Sequence, residues 1–162
     1  MTGSGSGTWT SRLAELGLAL PPVVPPLAAY QPAVRTGNLV YTAGQLPMVD
    51  GELVVRGKVA EGAEGIVSPD QAKAAARQAA LNALAAVHDL VGIDAVVRVV
   101  KVVGFVASAD GFSGQPGVVN GASELLGEIF GEAGKHARSA VGVNELPLGA
   151  PVEVELIVEV DR

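Results

Sequence analysis

Residues 152–160 read Val-Glu-Val-Glu-Leu-Ile-Val-Glu-Val. In an extended chain this sends Val152, Val154, Leu156, Val158 and Val160 to one side and Glu153, Glu155 and Glu159 to the other, because successive strand side chains point to opposite faces. Such a strand requires a sheet with one covered and one uncovered face, which restricts the chain to a layered fold. Residues 137–143 alternate in the same way, with Arg138, Ala140 and Gly142 on one face and Ser139, Val141 and Val143 on the other. A polar connection containing Leu146-Pro147 joins the two runs. An Arg at the start of one strand and a carboxylate on a nearby one can hold a small anion and a water; charged strand residues are also, and more commonly, a solvated face.

The covering layer is legible in two helical patterns. Ser68-Pro69-Asp70-Gln71 supplies a cap, a proline suited to the first turn, a carboxylate for the helix dipole and the second half of a capping box. The spacing predicts a helix from there to about Val91, stopped at Gly92. Its apolar stripe is Ala72, Ala75, Ala76, Ala79, Ala83, Leu84, Val87, Leu90 and Val91. So many alanines let it lie close to a sheet. Val118, Val119, Ala122, Leu125, Leu126, Ile129 and Phe130 define a second helix, weakened locally by Gly117, Gly121 and Gly127.

Between the helices, the β-branched run 95–108 reads as a largely buried strand, with Gly104 as a candidate bend. Upstream, 30–34 and 39–43 read as strands turned at Thr36-Gly37-Asn38, and Asp50-Gly51 marks a hairpin turn before a strand over 53–59. Gly44, at a strand end, marks a bulge or a close backbone approach. Residues 1–29 form an N-terminal extension: a Gly/Ser-rich start over 1–7 expected to be disordered, a short helix over 10–17 and a Pro-rich extended segment. The body is 30–162. The element order gives an α+β fold, a mixed or antiparallel sheet with two helices on one face. Its exposed edges call for pairing with other subunits.

Composition narrows the chemistry. A formal net charge of −6 with no basic run disfavours nucleic acid. Without cysteine there is no disulfide, thiolate metal site or Cys nucleophile, and two isolated histidines make no zinc constellation. No apolar stretch is long enough to span a bilayer and no secretory signal is evident, so the expectation is a cytoplasmic protein with no membrane partner.

Arg138-Ser139, Leu146-Pro147 and Val152-Glu153-Val154-Glu155 together resemble the C-terminal signature of the YjgF/RidA family of enamine/imine deaminases. Gly37-Asn38-Leu39-Val40-Tyr41-Thr42-Ala43-Gly44-Gln45-Leu46-Pro47 resembles the same family's N-terminal signature. The resemblance implies the chorismate-mutase-like fold, a homotrimer with clefts between subunits, and hydrolysis of 2-imino or enamino acids to 2-keto acids and ammonia. It implies no cofactor and a small carboxylate-bearing metabolite as ligand. Carried over by position, Arg138 binds the substrate carboxylate, Glu153 positions the water, Tyr30 lies near the pocket, Gly44 and Ala140 give backbone contacts, and Asn120 lines or shapes the pocket. Alongside stand plainer roles: Glu153 as a solvated carboxylate, Tyr30 as a core or interface aromatic, Asn120 as structural, His136 as exposed. Ala43 and Ala140 depart from the Ser and Cys that many relatives carry, which removes a side-chain hydroxyl contact at 43. The competing functions are a metabolite-binding trimer without turnover and, against the charge, an endoribonuclease.

Overall fold

The computed structural model describes residues 8–26, 28–62 and 66–162, so the expected disordered start lies outside the described residues. A five-stranded sheet is built from β1 (Ala33–Thr36), β2 (Leu39–Thr42), β5 (Val96–Ala107), β6 (Ala137–Val143) and β7 (Val152–Val160) in the order β1-β2-β7-β5-β6. Strands β3 (Met48–Val49) and β4 (Glu52–Leu53) form a separate small hairpin. Within the main sheet β5 and β6 pair in parallel and the other neighbouring strands pair antiparallel, so the sheet is mixed. The α+β expectation holds.

Helices α2 (Pro69–Val91) and α3 (Gln115–Phe130) pack on one face. Facing them, Val40, Val99, Val102, Val106, Val154 and Leu156 are at most 1% exposed. Ser68 closes the expected capping box with Gln71. Alanines bury almost the whole length of α2, but Leu90 is 44% exposed, because the stripe leaves the sheet before the helix ends. Close approach of the helices depends on Gly121, where a Cβ would overlap the Lys73 carbonyl oxygen. Gly104 serves the same purpose and does not bend β5: a Cβ there would sit 2.5 Å from Val119 of α3.

Three local expectations change. Strand β1 begins at Ala33, not Tyr30, because Pro32 has no N–H to give a ladder. The strand expected over 53–59 stops at Leu53, and Gly57 with φ +121° takes the chain out of the extended region. The Asp50-Gly51 turn does form, with both residues at positive φ, as a two-residue hairpin of the right twist demands. Helix α1 (Trp9–Glu15) is capped by Thr8 and docks firmly: Trp9 Nε1 donates to the Val96 carbonyl at 2.7 Å, its ring meets Phe130 edge-on at 4.9 Å, and Thr10 bonds Asp94 through both N–H and hydroxyl. No helix among the described residues is long and apolar enough to cross a membrane.

Candidate functional site

Arg138 lies on β6, an edge strand, opposite fully buried Val102, so it faces the helix side of the sheet. There α3 presents Asn120 and Ser123, one turn apart. Nη1 of Arg138 donates to Asn120 Oδ1 at 2.8 Å and to Ser123 Oγ at 3.3 Å. Ser123 Oγ in turn lies 2.9 Å from His136 Nε2, and His136 Nδ1 lies 2.6 Å from the Gly134 carbonyl oxygen. Among the described residues no carboxylate pairs with Arg138, and its Nε and Nη2 have no protein partner. The result is a half-buried cation oriented by neutral oxygens along one edge, with the other edge of its planar fork left for an anion. Ala140 is next on the same face, paired with Gly104.

Glu153 lies elsewhere. It pairs with Phe105 on the face away from the helices. Its carboxyl group folds over Gly44, where a Cβ would be 2.7 Å from Cδ and 2.8 Å from Oε1. A side chain at 44 would displace the carboxylate, so the close approach expected at this glycine is to Glu153. The next residue, Gln45, is tied to Val154 by reciprocal backbone bonds of 2.8 and 3.0 Å, which fixes the loop on β7. Burial pushes the Glu153 carboxyl above its ordinary pKa, and the neighbouring charge of Glu155 adds to the effect. Tyr30 is 43% exposed and shares a small cleft with Gly44, Pro32, Gln45, Leu46 and Met48.

One chain therefore brings the expected residues together in two groups, not one. Arg138, Asn120 and Ala140 form the first; Glu153 and Gly44, with Tyr30 beside Gly44, form the second. β5 separates β6 from β7, and the two groups use opposite faces. An anion and its water held jointly by Arg138 and Glu153 of the same copy is excluded by this geometry. His136 is a correction: it is half-buried and bonded at both ring nitrogens, not exposed, because the turn over 131–134 brings the Gly134 carbonyl back under the ring. Ser123 was missed. Its signal is its spacing: three residues after Asn120, it shares that residue's face of the helix. Among the described residues no three of His, Asp and Glu gather as metal ligands.

The family model described as "YjgF/chorismate mutase-like, putative endoribonuclease" matches residues 10–160. Protein TCP17 of Trypanosoma cruzi is 41% identical over 159 residues, 97% of each chain. A 2-iminobutanoate/2-iminopropanoate deaminase of Dermatophagoides farinae is 30% identical, covering 86% of this chain and 93% of its own. The crystal structure of Atu1372 from Agrobacterium tumefaciens superposes with a TM-score of 0.84 at 42% identity, over 94% of this chain and 92% of that one.

Proposed function

The chain belongs to the YjgF/chorismate-mutase-like family, and on that premise we propose that it hydrolyses reactive 2-imino acids to 2-keto acids and ammonia. The observation that carries this reading is Arg138: a cation held by Asn120 and Ser123, neither of which neutralises it, with Nε and Nη2 free for a carboxylate. An α-imino acid offers that carboxylate beside its electrophilic C=N carbon. Bidentate binding fixes the carbon relative to the protein.

Glu153 supplies the base. A carboxylate whose pKa is raised by burial takes a proton from water more readily than an ordinary surface Glu. The water oxygen forms a bond to the imine carbon, the C=N π pair moves to nitrogen, and nitrogen is protonated. The resulting carbinolamine then expels ammonia, leaving the 2-keto acid. No oxidant, metal or cofactor enters this balance.

Two groups that one chain keeps on opposite faces become one site when a second copy of the chain lends the other half. We take the assembly to be a homotrimer with the site in each cleft. Its support is the free outer side of β6 and the apolar residues left uncovered on the sheet face that carries Glu153, among them Val141 at 44% exposure. The endoribonuclease description has no counterpart in the charge: at −6 overall, the chain lacks the excess of cations that phosphate backbones demand.

The test is keto-acid and ammonia release from 2-iminopropanoate generated in situ, wild type beside Arg138→Ala. The kcat/KM should fall by about 10³-fold in the variant, the scale of losing a charged group that binds the reacting molecule, while assembly mass and melting temperature stay put. Equal rates in both would refute the assignment. Stabilisation by pyruvate without ammonia release would replace hydrolysis with metabolite binding.

A further inference from the structure

The cation of the proposed site is not anchored by a carboxylate. It is the end of a chain of neutral groups, and the direction of every hydrogen bond in that chain can be assigned. The Gly134 carbonyl can only accept, so His136 Nδ1, 2.6 Å away, carries a proton. In the neutral ring Nε2 is then a lone pair, and the Ser123 hydroxyl, 2.9 Å away, donates to it. With its hydrogen committed there, Ser123 Oγ turns lone-pair density to Arg138, whose Nη1 donates at 3.3 Å while also donating to Asn120 at 2.8 Å.

We infer that Ser123 and His136 are positioning residues for Arg138: a relay from the Gly134 carbonyl through the His136 imidazole and the Ser123 hydroxyl holds Nη1 and so leaves Nε and Nη2 set for the substrate carboxylate. This rests on the hydrolase reading for its substrate, but the relay itself does not. The physical reason for a neutral relay is competition. A carboxylate partner would orient the guanidinium equally well and would also neutralise it, occupying the charge the substrate needs. Hydroxyl and amide oxygens orient without doing so. The relay is anchored in rigid parts of the fold. Ser123 and Asn120 sit on the packed helix α3, and Gly134 has no room for a side chain, since a Cβ there would overlap the Leu126 carbonyl oxygen. The Gly134 carbonyl is thus fixed by backbone packing, and through it the ring.

Positioning of a carboxylate-binding group acts on ground state and transition state alike, so its loss raises KM more than it lowers kcat. Ser123→Ala and His136→Phe should each raise KM for 2-iminopropanoate by roughly tenfold, the value of one hydrogen bond to a charged group, with kcat within about threefold. Ser123→Thr restores the hydroxyl and His136→Gln restores an acceptor near Nε2; each should recover most of the affinity. An unchanged KM in both disruptive variants overturns the inference, as does a rise that the conservative variants fail to reverse.

A second measurement does not need turnover. Nitrogen-15 spectra of the intact protein above pH 8 should show His136 as the Nδ1–H tautomer, the minor form of a free histidine side chain in water, and Ser123→Ala should move its Nε2 resonance and the Arg138 Hη signals together. An Nε2–H tautomer, or Arg138 signals indifferent to Ser123, overturns the relay. Wild-type protein that releases no ammonia but gives these spectra refutes the hydrolase reading and leaves the relay standing.

Discussion

The two faces of the sheet are made by the same strands and treated in opposite ways. On the helix side Val40, Val102, Val154 and Leu156 meet α2 and α3 and lose all but a trace of their contact with solvent. On the other side Val34 and Tyr41, partners across β1 and β2, are 51% and 40% exposed. They share that face with Val141 and with Glu153, Glu155 and Glu159. The closed side explains the stability of one chain; the open side holds a partly buried carboxylate and apolar area that one chain does not use. Two helices cover one face of five strands, and the other face keeps Val34, Tyr41 and Val141 uncovered. The polar chemistry follows the same division, with the cation on the covered side at the β6 edge and the carboxylate on the open side.

If the covered face carries the fold, damage there should be large and should appear in a single chain. Gly121→Val puts its first side-chain atom on the Lys73 carbonyl oxygen, a backbone atom that cannot rotate away. Forcing α2 and α3 apart should destabilise by about 4 kcal/mol or more, read by urea unfolding, or leave no folded protein. A loss under about 1 kcal/mol would mean that the helices part freely and that their closeness is incidental. Asn82, 1% exposed, is the next largest. Its Nδ2 donates to the carbonyls of Leu46 and Met48, both at 3.0 Å, and ties the loop after Gly44 to α2. Asn82→Leu strips the Met48 carbonyl of this partner and leaves the Leu46 carbonyl with the Met48 N–H alone, and should cost about 2 kcal/mol; because Gly44, against which Glu153 rests, opens that loop, the same variant should also lose turnover.

The covered face was the more legible of the two, for a physical reason. Periodicity records which residues leave water, so the alternation of 152–160 and the stripes of both helices could be read directly, as could the faces of Arg138 and Glu153. What periodicity does not record is strand order. That β5 inserts between β6 and β7, and that Arg138 and Glu153 thereby look away from each other, depends on contacts distant in sequence. Leu53 to Val59 failed for a local reason, the positive φ of Gly57. His136 failed because its burial comes from a turn and a helix, neither of which a lone histidine after Gly-Lys announces. Arg138, Glu153 and Gly44 were named as candidates through two matched signatures; Ser123, outside both, was not.

On the open face the expectation reverses. Val141→Asp places a charge where β6 is already exposed, so a single chain should unfold within about 0.5 kcal/mol of wild type. If that face is where copies meet, the mass measured by light scattering should fall toward one chain and turnover should vanish with it. A variant that keeps wild-type mass and full activity would show that the uncovered apolar area is surface and nothing more.

The smallest effect on stability, and the most discriminating, belongs to Glu153. Burial, with Glu155 beside it, raises the folded-state pKa, so the folded chain keeps this proton at a pH where the unfolded chain has lost it. Below the ordinary range for a glutamate both states are protonated and the group contributes nothing. As pH climbs from there through the folded-state value, stability falls; above it the penalty is constant. Glu153→Gln removes the charge and hence the penalty: its melting temperature should exceed that of wild type by about 2 °C at pH 8 and coincide with it near pH 3. Yet an amide accepts no proton from water, so hydrolysis should drop by at least about 10²-fold. A carboxylate whose loss stabilises the chain and stops the reaction is one held at a cost for its chemistry. Equal melting temperatures at both pH values with turnover intact would make Glu153 a solvated strand residue like Glu159, and would move the base of the reaction elsewhere.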